Sequence, residues 1–152
     1  MVSAIPDGFT AVTPYLTITD AAKAIDYYRR AFGAEEVYRL MAPDGERVVH
    51  AELRIGDARL MLADSFPEWN TPAPARDGAG VGVHLYVEDV DAVMAAAEKH
   101  GARILMPPMD AFWGDRYGKL LDPYGVTWGV ATHIRDMTPD EIAKAAKEAL
   151  GN

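Results

Sequence analysis

The spacing of hydrophobic residues changes period several times along the chain, and each change predicts an element. Residues 11–19 (AVTPYLTIT) alternate, with Val12, Leu16 and Ile18 on one side and Thr13, Tyr15 and Thr17 on the other, as a strand requires. Asp20 is the expected N-cap of the helix that follows. Ala21, Ala24, Ile25, Tyr28 and Phe32 share one face of that helix, and Gly33 ends it. Two strand-like runs, 35–41 and 47–55, flank a Pro43-Asp44-Gly45 turn. Gly56-Asp57 then leads into a third run, 58–64. Residues 65–80, rich in Pro, Gly and Ala with Trp69 among them, are expected to be a linker or a flap.

From residue 81 the pattern starts again. Residues 81–88 (VGVHLYVE) alternate, Asp89 caps, Val90, Val93, Met94 and Ala97 form a helix face, and Gly101 closes it. Setting LTITDAAKAIDYYRRAFGAE against LYVEDVDAVMAAAEKHGARI pairs Leu16 with Leu85, Asp20 with Asp89 and Gly33 with Gly101, given one residue of slack in the helix. Further on, Gly56 matches Gly125. This is an internal repeat of a βαβββ module. A third helix is expected over residues 136–150. Thr138 caps it, Pro139 is its first residue, and Asp140 and Glu141 sit at its positive end. Its apolar residues, Ile142, Ala145, Ala146, Ala149 and Leu150, are expected to pack on the body or on a second subunit.

Composition narrows the function more than the fold. A chain of 152 residues, 49% hydrophobic and 25% charged, is expected to form one domain with a sufficient core. The net charge of −8, with a pI near 4.9, argues against nucleic acid and against an anionic membrane as partners. The absence of cysteine excludes disulfides, thiolate metal sites and a cysteine nucleophile. No basic segment followed by an apolar run opens the sequence, and no apolar stretch reaches the ~20 residues of a membrane span. The expectation is a cytoplasmic protein without a membrane partner.

The densest chemistry lies in residues 112–132, FWGDRYGKLLDPYGVTWGVAT, where a Trp-Gly-Asp-Arg loop precedes an Asp-Pro-Tyr-Gly turn and an alternating strand. Asp122 is expected to cap its turn rather than to act chemically. Trp128 is expected to pack under a helix, and His100 to sit at a helix C-terminus for the dipole. Arg116 can clamp a carboxylate or phosphate on a ligand, or pair with Asp115, Asp110 or Asp64.

Two βαβββ modules, with DAAKAIDYYRRAFGAE in the first and DVDAVMAAAEKHGA and WGDRYGKLLDPYGVTW in the second, resemble the vicinal oxygen chelate superfamily. That is the glyoxalase, bleomycin-resistance and extradiol dioxygenase group, and the branch most similar is the PhnB-like one. The resemblance implies an α+β fold: two tandem βαβββ modules forming a curled mixed sheet with a central cleft, plus a C-terminal helix. One glyoxalase-like domain would span residues 1–152, with module one at about 9–64, a linker at 65–80, module two at about 81–134 and the helix at about 138–150. Helices would cover the faces carrying Val12/Leu16/Ile18, Val49/Ala51/Leu53/Ile55 and Val81/Val83/Leu85/Val87. Ligand would meet the opposite faces: Thr13, Tyr15, Thr17; His50, Glu52, Arg54; Leu60, Leu62, Asp64; Gly82, His84, Tyr86; Gly129, Ala131, His133.

The resemblance also implies where a metal would be held. Its ligand positions fall at Thr13 and Gly82, seven residues before Asp20 and Asp89, at Gly129, seven after Asp122, and at Leu60 in the first module. None is a competent His or Glu ligand, so neither a metal nor another cofactor is expected. A shifted set, His84, His50 and Glu52, is the alternative. The expected ligand-binding residues are Tyr15, His50, Glu52, Asp64, His84, Tyr86, Trp113 and Arg116, and no catalytic residue is assigned. Three functions stay open: a metal-free binder of a small aromatic or amphipathic compound; a divalent-metal-dependent lyase, isomerase or dioxygenase with shifted ligands; and a non-catalytic scaffold dimer. A homodimer is expected from the resemblance.

Overall fold

The computed structural model describes residues 3–69 and 82–150. Most of the expected linker or flap, residue 81 of the expected strand and the Trp69 side chain lie outside the described residues. The element order is β1 (Tyr15–Ile18), α1 (Ala21–Phe32), β2 (Glu35–Met41), β3 (Val48–Ile55) and β4 (Ala58–Asp64), then β5 (Gly82–Tyr86), α2 (Val90–Lys99), β6 (Arg103–Asp110), β7 (Asp115–Leu121), β8 (Thr127–His133) and α3 (Pro139–Leu150). The chain divides between residues 76 and 77 into two compact units. Each holds a four-stranded mixed sheet, ordered β1-β4-β3-β2 in the first and β5-β8-β7-β6 in the second. β1 runs parallel to β4 and β5 parallel to β8, and the other pairs are antiparallel. The α+β class and the repeated βαβββ module stand as expected from the sequence.

In the first unit, α1 buries Ala21, Ala24, Ile25 and Tyr28 against Ile18, Ala51, Leu53 and Leu62. β1 is shorter than the alternation suggested. Pro14 has no N–H to give a ladder, so the paired strand starts at Tyr15, and Val12 is left 82% exposed instead of buried.

A second correction concerns β4. The Gly56-Asp57 turn is two residues long, so Ile55 opposes Ala58 and Leu53 opposes Leu60. Directly opposed residues share a face. The helix-facing set therefore switches from odd numbers on β3 to even numbers on β4. Leu60, Leu62 and Asp64 belong under α1, not on the open face, and Arg59 and Met61 take that place.

Asp64 has a definite task there. It is buried, its Oδ1 accepts the Ala21 amide at 3.0 Å, and its Oδ2 accepts the Val48 amide at 2.6 Å. The carboxylate thus closes the N-terminus of α1 and ties β3 to it. Asp20, the expected cap, makes no side-chain cap bond, because its backbone is left-handed (φ 64) where a cap needs an extended residue. In the second unit Asp89 does cap, accepting from Ala92 at 3.0 Å, and Thr132 Oγ1 takes the Val90 amide at 2.9 Å. Asp64 and Thr132 follow equivalent register pairs of the two sheets, so the repeat reuses one position to close both helices.

α3 opens on a capping box: Glu141 N–H donates to Thr138 Oγ1 (3.3 Å), and Thr138 N–H donates to Glu141 Oε2 (2.7 Å). None of its residues is buried. No described helix is long and apolar enough to cross a membrane.

Replacing Asp64 by Ala orphans two amides in a buried place, at about 1–3 kcal/mol each. Asp64→Ala is expected to lower the unfolding free energy in urea by about 2 kcal/mol or more. Asp20→Asn, which keeps a residue tolerant of positive φ, should change it by less than about 0.5 kcal/mol. Equal effects from the two would contradict the assignment of the cap.

Candidate functional site

In the second unit, strand alternation aims one set of side chains away from α2. Register sets Gly129 between His84 and Lys119, Ala131 between Tyr86 and Tyr117, and His133 opposite Asp115. β7 begins at Asp115, so the second half of the expected Trp-Gly-Asp-Arg loop is strand, and Asp115, Tyr117 and Lys119 share its open face. Sequence reasoning missed these three. Their every-second-residue spacing in DRYGK was the available signal.

Gly129 decides the local shape. The His84 and Tyr117 rings stack at 5.8 Å with an interplanar angle of 9°. A Cβ on Gly129 would lie 3.0 Å from both His84 Nδ1 and Tyr117 Cε2, so any side chain there would intrude on the pair. Tyr86 tilts against His84 at 4.8 Å, and Trp113 meets Tyr117 edge-on at 5.4 Å. The result is a row of rings with polar edges. Beside it lies a hollow of about 330 Å³ lined by Gly82, Val83, His84, Tyr117, Lys119, Thr127 and Gly129. Lys119 forms no ion pair among the described residues, so its ammonium is free to meet an anion. A larger hollow of about 580 Å³, along α1, is lined by Asp26, Arg29, Arg30, Gly33 and Ala34 and offers no aromatic surface.

The rings are held by Asp115. It is 3% exposed, and Oδ2 accepts from Tyr86 Oη and Trp113 Nε1, both at 3.1 Å. Oδ1 faces His133 Nδ1 at 2.7 Å, while His133 Nε2 faces Asp136 at 2.8 Å. Burial pushes the Asp115 carboxyl up, but donation from His133, Tyr86 and Trp113 outweighs it and holds the carboxyl below its ordinary range. Hydrogen bonds to Asp136 and Asp115 raise His133. The bond to Asp115, with some burial, raises Tyr86. Gly114 fixes the loop before this carboxylate. At φ 98 it accepts from the Ile134 and Arg135 amides at 3.0 Å each, and a Cβ there would run into the Arg135 carbonyl.

Arg116 points to the other side. Its guanidinium forks onto Asp91 of α2 (2.7 and 2.9 Å) and reaches Asp110 (3.0 Å), so of its expected partners only Asp110 is found. It joins sheet to helix and is raised by those bonds. Trp128 is buried, with Nε1 donating to Asp122, and Asp122 also accepts from the Tyr124 and Val126 amides, so the expected turn cap is present.

In the first unit the open face brings three expected residues together. Tyr15 Oη lies 3.0 Å from His50 Nδ1, and His50 Nε2 lies 3.2 Å from Glu52 Oε1. Burial raises the Tyr15 phenol. Asp64 is absent from this group for the reason given above.

The positions implied for a metal do not fit one. Gly82 and Gly129 offer no donor, Leu60 faces the helix, and Met61 rather than Leu60 is the register counterpart of Gly129, since Tyr15 pairs with Met61 as His84 pairs with Gly129. In the shifted set, both ring nitrogens of His50 already have partners. Among the described residues no group of three or more His, Asp or Glu side chains is placed to hold an ion.

Because His133 is raised in the folded protein, its ion pairs add stability that is complete below about pH 6.5 and fades as pH rises through the folded-state value. Asp115, being lowered, contributes above about pH 3.9 and is lost in stronger acid. The gap in melting temperature between wild type and His133→Gln should therefore narrow from pH 6 to pH 8.5. A gap independent of pH would show that His133 is not held as an imidazolium.

Comparison with known proteins agrees with the fold. The family model for the Glyoxalase/Bleomycin resistance protein/Dioxygenase superfamily matches residues 9–130. The Mycobacterium bovis protein Mb0911c is 41% identical over 147 residues, covering 93% of this chain and 95% of that protein. Among solved structures, TioX from Micromonospora sp. ML1 superposes with a TM-score of 0.64 at 25% identity, over 82% of this chain and 99% of that one. A Bacillus cereus PhnB protein, described as a putative 3-demethylubiquinone-9 3-methyltransferase, gives 0.64 at 22% identity over 81% and 99%, a likeness of fold alone. Two βαβββ units under a family match that spans most of their length place the chain in the Glyoxalase/Bleomycin resistance protein/Dioxygenase superfamily, to which it belongs.

Proposed function

We propose that this chain is a metal-free binding protein for a small planar or amphipathic compound carrying an acidic group, received on the open face of the second unit. The observation that carries the reading is Gly129. Where a superfamily ligand to metal would project, a bare backbone lets His84 and Tyr117 stack and leaves a hollow at their side. At about 330 Å³ the hollow is near the lower end of ligand pockets, which suits one or two fused rings. Lys119 selects for negative charge, and a charge-assisted hydrogen bond contributes about 1.5–3 kcal/mol. Asp115 keeps Tyr86 and Trp113 in place before ligand arrives, so little ordering cost falls on binding. Scarce donors at the superfamily's metal positions support a binder over a metalloenzyme.

Naphthoate is a suitable probe. It is expected to bind saturably and to raise the melting temperature equally with and without EDTA. Lys119→Ala should weaken naphthoate about 10-fold, or ~1.4 kcal/mol, while changing the uncharged naphthamide by less than about 2-fold. Gly129→Val should abolish binding of both. Binding that EDTA removes and a divalent ion restores would favour the metal-dependent alternative. No stabilisation by either probe would leave the scaffold reading in its place.

A further inference from the structure

The first unit carries a second group of reactive side chains, independent of the hollow beside Gly129. His50 and Glu52 are two residues apart on β3, so both project from the open face, and Tyr15 on β1 reaches across β4 to join them. The chain of contacts is linear: phenol to imidazole at 3.0 Å, imidazole to carboxylate at 3.2 Å. Exposure falls along it, from 50% for Tyr15 to 25% and 20% for the His50 and Glu52 side chains. The chain ends on a phenol open to solvent.

We propose that Tyr15, His50 and Glu52 form a proton-transfer site for small carbon acids, compounds with a C–H made acidic by a neighbouring electron-withdrawing group. Tyr15 is the catalytic residue that touches substrate. His50 is the base behind it, and Glu52 is a positioning residue. With Nε2–H donated to Glu52, Nδ1 is left as an acceptor for the Tyr15 O–H, and the phenol oxygen turns its free lone pairs outward. Proton balance is then simple. The substrate C–H gives its proton to the Tyr15 oxygen as the phenolic proton passes to His50 Nδ1. The products are a carbanion and an imidazolium paired with Glu52, and the imidazolium returns its proton to solvent. Tyr15 is a phenol at neutral pH, as tyrosine ordinarily is and as a relay needs, and burial only moves it further that way. Tyr38, whose ring lies 6.2 Å from that of His50, walls one side.

The test uses nitrobenzisoxazole, a flat carbon acid. Loss of its ring C–H proton to the relay forms the nitrile as the N–O bond breaks, releasing a coloured cyano-nitrophenolate. Wild type is expected to accelerate this reaction saturably. Tyr15→Phe and His50→Gln should each lower kcat/KM about 10²-fold or more. Glu52→Gln should lower kcat less than these two while leaving KM unchanged, and Glu52→Asp should recover part of the loss. His100→Gln, exposed after the C-terminus of α2, should match wild type. If His50→Gln fails to fold, Tyr15→Phe decides alone, since it removes one half-exposed oxygen. A rate no greater than that of an equal concentration of free imidazole, or a Tyr15→Phe rate equal to wild type, would overturn the proposal.

Discussion

The Asp115 carboxylate is the constraint on which the second unit's open face depends. Taking a carboxylate out of water costs several kcal/mol unless donors replace the lost hydration. Here Tyr86, Trp113 and His133 supply them, and each is fixed in return. The aromatic row therefore stands as a rigid surface because one buried charge demands it. Trp113 and Tyr86 come from separate segments, and Asp115 is the group that hydrogen-bonds to both. The same carboxylate couples the row to His133 and through it to Asp136, just before α3.

Duplication gave the two units one framework and let their open faces diverge. Each closes its helix from the last strand of its sheet, with Asp64 in one and Thr132 in the other. On the first sheet, polar side chains are linked in sequence from Tyr15 to Glu52. On the second, the counterpart of Met61 is Gly129, and aromatic rings close over it. A single missing side chain thus separates a face laid out as a linked polar chain from one with a hollow beside stacked rings.

The framework was legible in the sequence because it rests on periodicity and turn residues, and those act locally. Asp89, the Thr138 cap, the Asp122 turn and the burial of Trp128 all follow from neighbours within a few positions, and the repeat from that local pattern recurring. Asp64 was not legible as a cap, because its partner amide on Ala21 lies 43 residues away and a two-residue turn inverts the parity that would have pointed to it. Arg116 went the same way: Asp91, on another element, took its guanidinium. Tyr15, His50 and Glu52 could be placed on one face, but the order of their contacts depends on β4 lying between β1 and β3 and on side-chain geometry. Lys119 and Tyr117 were missed because the alternation in DRYGK, which puts them on one strand face, went unread.

The central claim is that the bare backbone at Gly129, rather than a metal, makes the ligand site. Backbone amide shifts recorded during a naphthoate titration in EDTA test it most directly. Gly82, Lys119, Thr127 and Gly129 are predicted to move together and to saturate at one equivalent. If those four amides stay fixed, or move only once a divalent ion is added, the account is contradicted.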